Sequence, residues 1–437
     1  MDRYSDTLKR IYNLRGGMID LRLDRMDRAL SLFNHPEARF PSIHIAGTNG
    51  KGSTSAMVQR ILSLAGYRTG LYTSPHLVSF TERIRVDDQE ITSQEVIALT
   101  EEIEQRTGAA DVPLTFFEFI TVMAFVFFAR RKIDVAVVEV GLGGRLDATN
   151  VLTPLVSAIT TIAKDHEAYL GTDVLSIARE KGGIIKEGVP LVGGKLLPEV
   201  TELLRGIADD HGSSSYFLAK DYKISLQNEG LFDYTGIKQH FLNLSVGLRG
   251  RHQKANAAVA LAALELIADR FPTGEQAVRE GLDTVHWPGR LEVILDRPTV
   301  VLDGAHNGEG VKALIDEIVD MGRGRKVKLL FAAMADKEWD LMVNALANVV
   351  DEMVFTRVGM ERSADPKRLA ESVRNRIPHR VIPDSRTALR TVFDEIQPAE
   401  FLVVAGSLYL LGELRPLAQQ LVADKLALGR SGALPSS

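Results

Sequence analysis

Cysteine is absent from all 437 residues, which excludes disulfide bonds and thiol chemistry and fits a reducing compartment. Long basic runs are also missing, and the formal net charge is −5. A binding surface for nucleic acid needs clustered positive charge, so this chain is not expected to bind nucleic acid.

Long hydrophobic runs are missing as well. The first residues, Met1 to Gly17, are charged and mixed, without the apolar core of a signal peptide. The most apolar stretch, Phe116 to Ala129, is too short to span a bilayer and contains Glu118. We therefore expect a cytoplasmic protein that does not enter a membrane.

The length suits two domains, and 45% hydrophobic with 25% charged residues is typical of a globular protein. Strand-like and helix-like segments alternate on both sides of a turn-like stretch, Trp287 to Arg290. This predicts an α/β protein: a P-loop NTPase-like, doubly wound, mainly parallel sheet domain over 1–289, and a smaller Rossmann-like α/β domain over 290–429. Short alternating segments between Lys220 and Leu248 predict an antiparallel extension, and the tail 430–437 is expected to be disordered.

A glycine-rich loop, Gly47 to Thr54, follows the apolar run Ser42–Ala46 and precedes a helix-like segment. This arrangement holds nucleotide phosphates, because glycines let backbone N–H groups converge, Lys51 reaches the outer phosphates and Ser53 can ligate Mg²⁺. Gly52 stands between the lysine and the hydroxyl, which departs from the common P-loop pattern. The alternative is an ordinary strand-to-helix turn with a solvated lysine.

Polar residues follow several predicted strands, where open α/β sheets place their ligands. Ser74, Glu139 and His166 occupy such positions, and together they could assemble around Mg²⁺ beside the phosphates. Taken singly, a Ser-Pro pair is usually a turn and a histidine is usually structural. Glu139 is harder to dismiss, because an apolar strand seldom ends in a buried carboxylate without a partner.

Two further charged residues have both a functional and a structural interpretation. Lys181 precedes two glycines, and the pattern by itself favours a charged helix end stabilised by the helix dipole. Asp303 follows an apolar strand in a ligand-facing loop, where it could bind a ribose hydroxyl or a cation. Its alternative is a helix N-cap, although Asn307 is better placed for that role.

Taken together, the motifs resemble the folylpolyglutamate synthase/dihydrofolate synthase family of Mur-type ATP-dependent ligases over nearly the whole chain. The Gly-Lys-Gly-Ser form of the loop is that family's own. The motifs that carry the resemblance are Leu23–Arg25, Phe40–Ser53, Thr73–Leu77, Phe117-Glu118, Glu139–Asn150, Asp165-His166, Gly250, His252-Gln253, Asn256, Pro288–Arg290, Asp303–Asn307 and Gly406–Leu410.

The resemblance implies that ATP phosphorylates a substrate carboxylate and that the amino group of L-glutamate then attacks the acyl phosphate, with ATP and Mg²⁺ as cofactors. It implies catalytic roles for Lys51, Lys181, His166 and Glu139, and nucleotide contacts from Thr48, Asn49, Gly50, Lys51, Gly52, Ser53, Asn256, Arg290 and Asp303. It assigns metal ligation to Ser53, Ser74, Glu139, His166 and Lys181, with the lysine present as a carbamate. The pterin side falls to Thr115, Phe116, Phe117, Glu118, Leu146, Asp147 and Ala148; core packing is the alternative for the two phenylalanines.

The function implied is addition of L-glutamate to dihydropteroate and then to reduced folates, by a monomer acting on small molecules. The runner-up is a folylpolyglutamate synthase without dihydrofolate synthase activity, and the departure at Asp87-Asp88-Gln89 from the family's usual turn leaves that choice open. A nucleotide-binding module without ligase activity would require damage at Lys51, Glu139 or Lys181, and all three are intact. A cell-wall amino-acid ligase is disfavoured by the loop sequence and the two-domain length.

Overall fold

The computed structural model describes residues 2–14, 23–165 and 167–431. The predicted site residue His166 and residues 432–437 of the predicted tail therefore lie outside the described residues. The prediction of a disordered tail from residue 430 is wrong for its first two residues, because the last helix continues to Ser431. The chain divides into two compact units, one formed by Met1–Gly247 with His252–His286 and the other by Leu248–Arg251 with Trp287–Ser437.

The first unit is built on a sheet with the strand order β4-β3-β2-β5-β1-β6-β7-β8. Its strands are β1 (Ser42–Ala46), β2 (Thr69–Tyr72), β3 (Ile84–Val86), β4 (Gln89–Glu90), β5 (Val135–Glu139), β6 (Val156–Ile159), β7 (Leu191–Gly193) and β8 (Ser215–Phe217). The pairs from β2 to β8 are parallel, and β3 and β4 add an antiparallel edge. The predicted mainly parallel sheet is confirmed. Strand β1 lies between β5 and β6, so the loops that follow these three strands leave the same edge of the sheet.

Helices cover this sheet because the chain must bury its continuous apolar strands. They are α1 (Arg3–Tyr12), α2 (Asp24–Ser31), α3 (Lys51–Leu64), α4 (Ser93–Ala109), α5 (Phe116–Arg131), α6 (Glu167–Leu170), α7 (Val174–Gly182), α8 (Pro198–Asp210), α9 (Arg251–Leu266) and α10 (Glu275–Thr284). One core cluster packs around α5, and another joins α7 and α8 to β6 and β7. The apolar stretch at Phe116 is thus a core helix, and none of the described helices has the length and hydropathy of a membrane span.

The predicted antiparallel extension is confirmed as a small sheet of β9 (Lys223–Leu226), β10 (Phe232–Thr235) and β11 (His240–Leu244). Glu265 of α9 attaches this sheet to the first unit. Its buried carboxylate accepts hydrogen bonds from the Tyr234 hydroxyl at 2.6 Å and from the backbone N–H groups of Lys238 and Gln239.

The second unit is a separate α/β layer structure with the strand order β12-β13-β17-β14-β15-β16. Only the β12–β13 pair is antiparallel among the described pairs of this sheet. Its elements are β12 (Glu292–Asp296), β13 (Thr299–Asp303), α11 (Gly308–Met321), β14 (Val327–Phe331), α12 (Trp339–Leu346), β15 (Glu352–Arg357), α13 (Pro366–Glu371), β16 (His379–Asp384), α14 (Ser385–Glu395), β17 (Phe401–Ala405) and α15 (Leu408–Ser431). The parallel α/β architecture predicted for this half is confirmed.

Candidate active site

The glycine loop leaves the carboxyl end of β1 and enters α3 directly. Gly47 and Gly50 have φ values of 151° and 88°, a range that favours glycine, and Gly50 is the N-cap of α3. A Cβ on Gly47 would lie 2.0 Å from Thr160 Oγ1, so no larger residue fits without movement of its neighbour. The first N–H groups of α3 have no partner within the helix, and such a terminus favours anions.

The end of β6 holds this loop in shape. The hydroxyls of Thr160 and Thr161 donate to the Asn49 carbonyl at 2.7 and 3.0 Å, and the Asn49 N–H donates back to Thr161 Oγ1 at 3.0 Å. The Thr48 hydroxyl donates to the Ala163 carbonyl at 3.1 Å. Sequence reasoning missed the two threonines, although their place directly after an apolar strand was the signal that could have found them.

Two lysines converge on one backbone carbonyl. Lys51 Nζ donates to the Gly47 carbonyl at 3.0 Å and to the Thr48 carbonyl at 3.2 Å. Lys181 Nζ donates to the same Gly47 carbonyl at 2.9 Å. The loop therefore gathers two amino groups at the point where an anionic ligand would lie.

Lys181 lies in the last turn of α7, as its sequence context predicts, but its side chain is not solvated. It is only 5% exposed, and burial together with the charge of Lys51 lowers its pKa to about 7. Asp165 and Asp147 oppose this shift. At neutral pH a large share of the amine is thus unprotonated, which is the form that reacts with electrophiles such as carbon dioxide.

Glu139 ends β5 with its carboxylate buried, next to the loop. Its Oε1 lies 4.0 Å from Lys51 Nζ, and its Oε2 accepts the Ser74 N–H at 3.3 Å. The structure therefore brings Lys51, Ser74 and Glu139 together, with Lys181 joined to Lys51 through the Gly47 carbonyl. Ser53 is buried in the first turn of α3.

Among the described residues no cluster of three His, Cys, Asp or Glu side chains is placed to hold a metal. The predicted metal ligands Ser53, Ser74 and Glu139 form a mixed set of hydroxyls and one carboxylate, oxygen donors of the kind that Mg²⁺ prefers. His166 lies outside the described residues.

Asn256 of α9 lies against the same loop. A Cβ on Gly50 would lie 2.4 Å from Asn256 Oδ1, and the Asn256 amide donates to Gln253 Oε1 at 2.9 Å. Both amides are buried. Gln253 fixes which way the Asn256 amide faces, a role that its position one helical turn earlier could have suggested.

In the second unit, Arg290 and Asp303 come together at the end of β13. The buried Asp303 carboxylate accepts the N–H groups of Leu291 and Ala305 at 2.8 and 2.9 Å. Burial raises the pKa of Asp303, and the Arg290 charge opposes that shift. The N-cap of α11 is Asn307, whose Oδ1 accepts the Gly310 N–H. Asp303 therefore does not cap the helix.

The segment predicted for the pterin ring begins α5. Thr115 and Glu118 form a capping box there, and the Glu118 carboxylate also pairs with Arg25, whose Nη2 donates at 2.7 Å. Phe116 stacks on Tyr12 at 5.5 Å between ring centroids. Within the described structure the Glu118 carboxylate thus has structural partners.

Arg83, which sequence reasoning missed, is buried beside this segment. Its guanidinium carbon lies 5.4 Å from the centre of the Phe116 ring.

The opposite side of the predicted pterin site is the turn that follows β5. A Cβ on Gly141 would lie 2.3 Å from Phe117 Cζ, so the Phe117 ring packs directly on this turn. Asp147 is buried and accepts the Gly141 and Leu142 N–H groups at 3.0 and 2.9 Å. Leu146 is half-buried and Ala148 is buried.

Comparison with known families matches both halves of the chain. Residues 45–264 match the Mur ligase middle domain, and residues 289–408 match the Mur ligase, glutamate ligase domain.

Three relatives illustrate how far the similarity extends. The Bacillus subtilis dihydrofolate synthase/folylpolyglutamate synthase is 34% identical, with 90% of this chain and 94% of the relative covered. The Lacticaseibacillus casei folylpolyglutamate synthase is 34% identical, with 88% and 92% covered. A crystal structure of the Yersinia pestis bifunctional folylpolyglutamate synthase/dihydrofolate synthase with AMPPNP and a Mn ion superposes with a TM-score of 0.85 at 31% identity, covering 96% and 98% of the two chains.

Three observations agree with one another: the glycine loop with its two lysines, the oxygen-bearing side chains beside it, and a family match that spans both units. This chain belongs to the folylpolyglutamate synthase/dihydrofolate synthase family of Mur-type ligases.

Proposed function

We propose that this protein is an ATP-dependent, ADP-forming amide ligase that adds L-glutamate to dihydropteroate and to reduced folates. The observation that carries the proposal is the near full-length similarity to bifunctional enzymes of this name, combined with the two lysines gathered at the glycine loop.

The substrates present a problem of charge. An oxygen of the acceptor carboxylate must attack the γ-phosphorus of ATP, and both partners are anions. The N–H groups that begin α3 and the Lys51 ammonium supply positive charge where the phosphates lie. The bond to ADP breaks, an acyl phosphate forms, and the glutamate nitrogen then attacks the acyl carbon and expels phosphate.

A divalent metal fits the oxygen-rich side of this site. Ser53, Ser74 and Glu139 would hold it, with His166 and Lys181 as the remaining predicted ligands. When bound, Mg²⁺ supplies positive charge that stabilises the phosphates as negative charge moves to the leaving ADP. Glu139 and the Ser74 backbone are already in contact, so this part of the set does not require a large rearrangement.

We assign Lys181 to the same metal site as a carbamate. Its buried amine with a pKa of about 7 is chemically ready to add carbon dioxide. The product is an anion, which would attract both Lys51 and Mg²⁺, whereas the ammonium form repels them. Incubation with ¹³C-bicarbonate should give a carbamate carbon signal that Lys181→Met lacks.

We assign the remaining roles as the family resemblance implies. Thr48 to Gly52, Asn256, Arg290 and Asp303 contact the nucleotide, and Thr115 to Glu118 with Leu146 to Ala148 line the pterin side. Residues 1–289 form the ATP-binding part, and 290–429 form the glutamate ligase part. We further expect a cytoplasmic monomer that uses neither nucleic acid nor a membrane, which sedimentation of the purified protein can test in part.

Phosphate release with ATP and L-glutamate tests the function, with dihydropteroate and tetrahydrofolate as alternative acceptors. Turnover with both acceptors supports the bifunctional enzyme. Turnover with tetrahydrofolate only supports the runner-up, a folylpolyglutamate synthase, which the similarity to the L. casei enzyme of that name favours. Turnover with neither acceptor refutes both.

A further inference from the structure

A histidine lies in the apolar central strand of the first unit, three residues before the glycine loop. His44 of β1 is fully buried, and its Nε2 lies 2.8 Å from Thr149 Oγ1. Its Nδ1 is buried without a hydrogen-bond partner among the described residues. Burial and the charge of Lys186 lower the pKa of His44 to about 3, so the ring is neutral at physiological pH. Burying a polar ring costs free energy unless hydrogen bonds compensate for it, and in His44 only Nε2 has such a bond among the described residues.

Thr149 connects this histidine to Asp147. The Thr149 N–H and hydroxyl both bond Asp147 Oδ1, at 3.0 and 2.5 Å. Burial raises the pKa of Asp147, but the hydrogen bonds from Gly141, Leu142 and Thr149 oppose that shift. Both carboxylate oxygens accept backbone N–H groups, so the Thr149 hydroxyl donates to Asp147 and the Thr149 oxygen accepts from His44 Nε2–H. The chain of hydrogen bonds therefore runs in one direction and fixes the histidine as the Nε2–H tautomer.

The other oxygen of Asp147 holds the turn after β5. Asp147 Oδ2 accepts the N–H groups of Gly141 and Leu142. This turn begins two residues after Glu139 and contacts the Phe117 ring through Gly141. The chain from His44 thus ends at the surface that faces the proposed acceptor substrate.

We propose that His44 and Thr149 are positioning residues for the acceptor substrate: they hold Asp147, and through it the turn Gly141–Leu142, in the geometry that the pterin-bearing acceptor requires. The proposal rests on the proposed function. Neither residue needs to touch the substrate, because both act through the Asp147 carboxylate. Their removal should therefore change the affinity for the acceptor while leaving the nucleotide loop intact.

Thr149→Val and Thr149→Ser form a matched pair. Valine keeps the shape of threonine and removes the hydroxyl, whereas serine keeps the hydroxyl and removes a methyl group. We expect Thr149→Val to raise KM for dihydropteroate about 10-fold, with KM for ATP and glutamate changed by less than about 2-fold, and serine to restore KM to within about 3-fold. If Thr149 had a purely structural role, Thr149→Ser would raise KM for dihydropteroate more than Thr149→Val, or all three KM values would rise alike. Either result would overturn the proposal.

His44→Gln and His44→Met test the first member of the chain. Glutamine can donate a proton from near the position of Nε2, whereas methionine fills a similar volume without a donor. We expect methionine to reproduce the Thr149→Val effect and glutamine to reduce it. Because both residues act through one chain, His44→Met combined with Thr149→Val should exceed the worse single variant by less than about 2-fold. A double variant whose increase in KM for dihydropteroate equals the product of the two single increases would contradict the proposal.

Amide hydrogen exchange separates this proposal from the proposed function. Without the Thr149 hydroxyl, the amides of Gly141 and Leu142 should exchange about 10-fold faster, while Val137 within β5 stays protected. If the wild-type protein does not turn over dihydropteroate, the proposed dihydrofolate synthase activity is refuted. The hydrogen-exchange measurement still tests the positioning chain in that case. Unchanged exchange at both amides in Thr149→Val refutes the positioning chain whatever the enzyme does.

Discussion

Replacing the buried Lys181 by methionine should abolish ligase activity and at the same time stabilise the protein. The fold lowers the pKa of this lysine from 10.5 to about 7, chiefly through burial and then through the charge of Lys51. At 1.36 kcal/mol per pH unit, holding the ammonium in place costs about 5 kcal/mol relative to the unfolded chain. Methionine removes that cost and also removes the hydrogen bond to the Gly47 carbonyl, which contributes about 1 kcal/mol. We expect a net gain of about 2–4 kcal/mol at pH 6.

The stability gained by Lys181→Met must depend on pH, and the direction of that dependence follows from the lowered pKa. The lowered pKa makes the folded lysine release its proton near pH 7, while the unfolded lysine keeps it up to about pH 10.5. The penalty in the wild type is therefore complete below pH 7 and disappears as the pH rises toward 10.5. The advantage of Lys181→Met should shrink over the same range.

Lys328→Met is the matched control. Lys328 is also only 5% exposed, but its Nζ pairs with Glu400 Oε2 at 3.0 Å. Removing this lysine takes away the nearer of two cations at Glu400, since Lys326 Nζ lies 3.9 Å from the other carboxylate oxygen, so the same substitution should destabilise the second unit. The two lysines are thus equally buried, but substitution by methionine should change the free energy of unfolding in opposite directions at the two positions.

The assay is denaturant unfolding in bicarbonate-free buffer, followed by hydrogen exchange in peptides of each unit because a two-unit protein need not unfold in one step. Exchange in α7 reports on Lys181, and exchange in β14 reports on Lys328. A lower midpoint for Lys181→Met at pH 6, or a gain that grows toward pH 10, would refute the view that this lysine is a buried cation without a carboxylate partner among the described residues.

Three further predictions concern the loop, the proposed carbamate and a buried ion pair. Lys51→Ala should abolish ATP-dependent phosphate release without unfolding the protein, and retained turnover would contradict its phosphate role. Lys181→Ala should be inactive and partly rescued by a small carboxylate; full activity without rescue would remove the carbamate from the mechanism. Arg25→Leu should lower the free energy of unfolding by about 3–5 kcal/mol because it leaves the buried Glu118 carboxylate without its pair, whereas Arg3→Leu, at an exposed ion pair, should cost less than about 1 kcal/mol.

Elements with strong local signals were predictable from the sequence. The start of α4 is one such element, because Thr92 and Glu95 have the spacing of a capping box and the Thr92 hydroxyl accepts from the Glu95 N–H. The strand before the glycine loop was also predictable, since an apolar run followed by glycines has few other conformations. By contrast, α10 (Glu275–Thr284) and β12 (Glu292–Asp296) were missed. The helix has no side-chain cap, and the edge strand is only half-buried, so neither has a clear local pattern.

The same division applies to the candidate site. Lys51 and Glu139 were predictable, because a lysine in a glycine loop and a carboxylate at the end of an apolar strand both point to a ligand. The interpretation of Lys181 was not, because a lysine before two glycines has the same local sequence whether it is solvated or buried. Its depressed pKa arises from burial and from the charge of Lys51, which is more than 120 residues away in the chain.

The sequence by itself determined the alternation of strands and helices, the glycine loop and the family, because these depend on local pattern and on motif order. Only the tertiary structure decided that two lysines share the Gly47 carbonyl and that Glu118 pairs with Arg25. It also decided that His44 reaches Asp147 through Thr149. The physical reason is that burial and charge proximity depend on distances in space, and the parallel sheet brings together strand ends that are far apart in the chain.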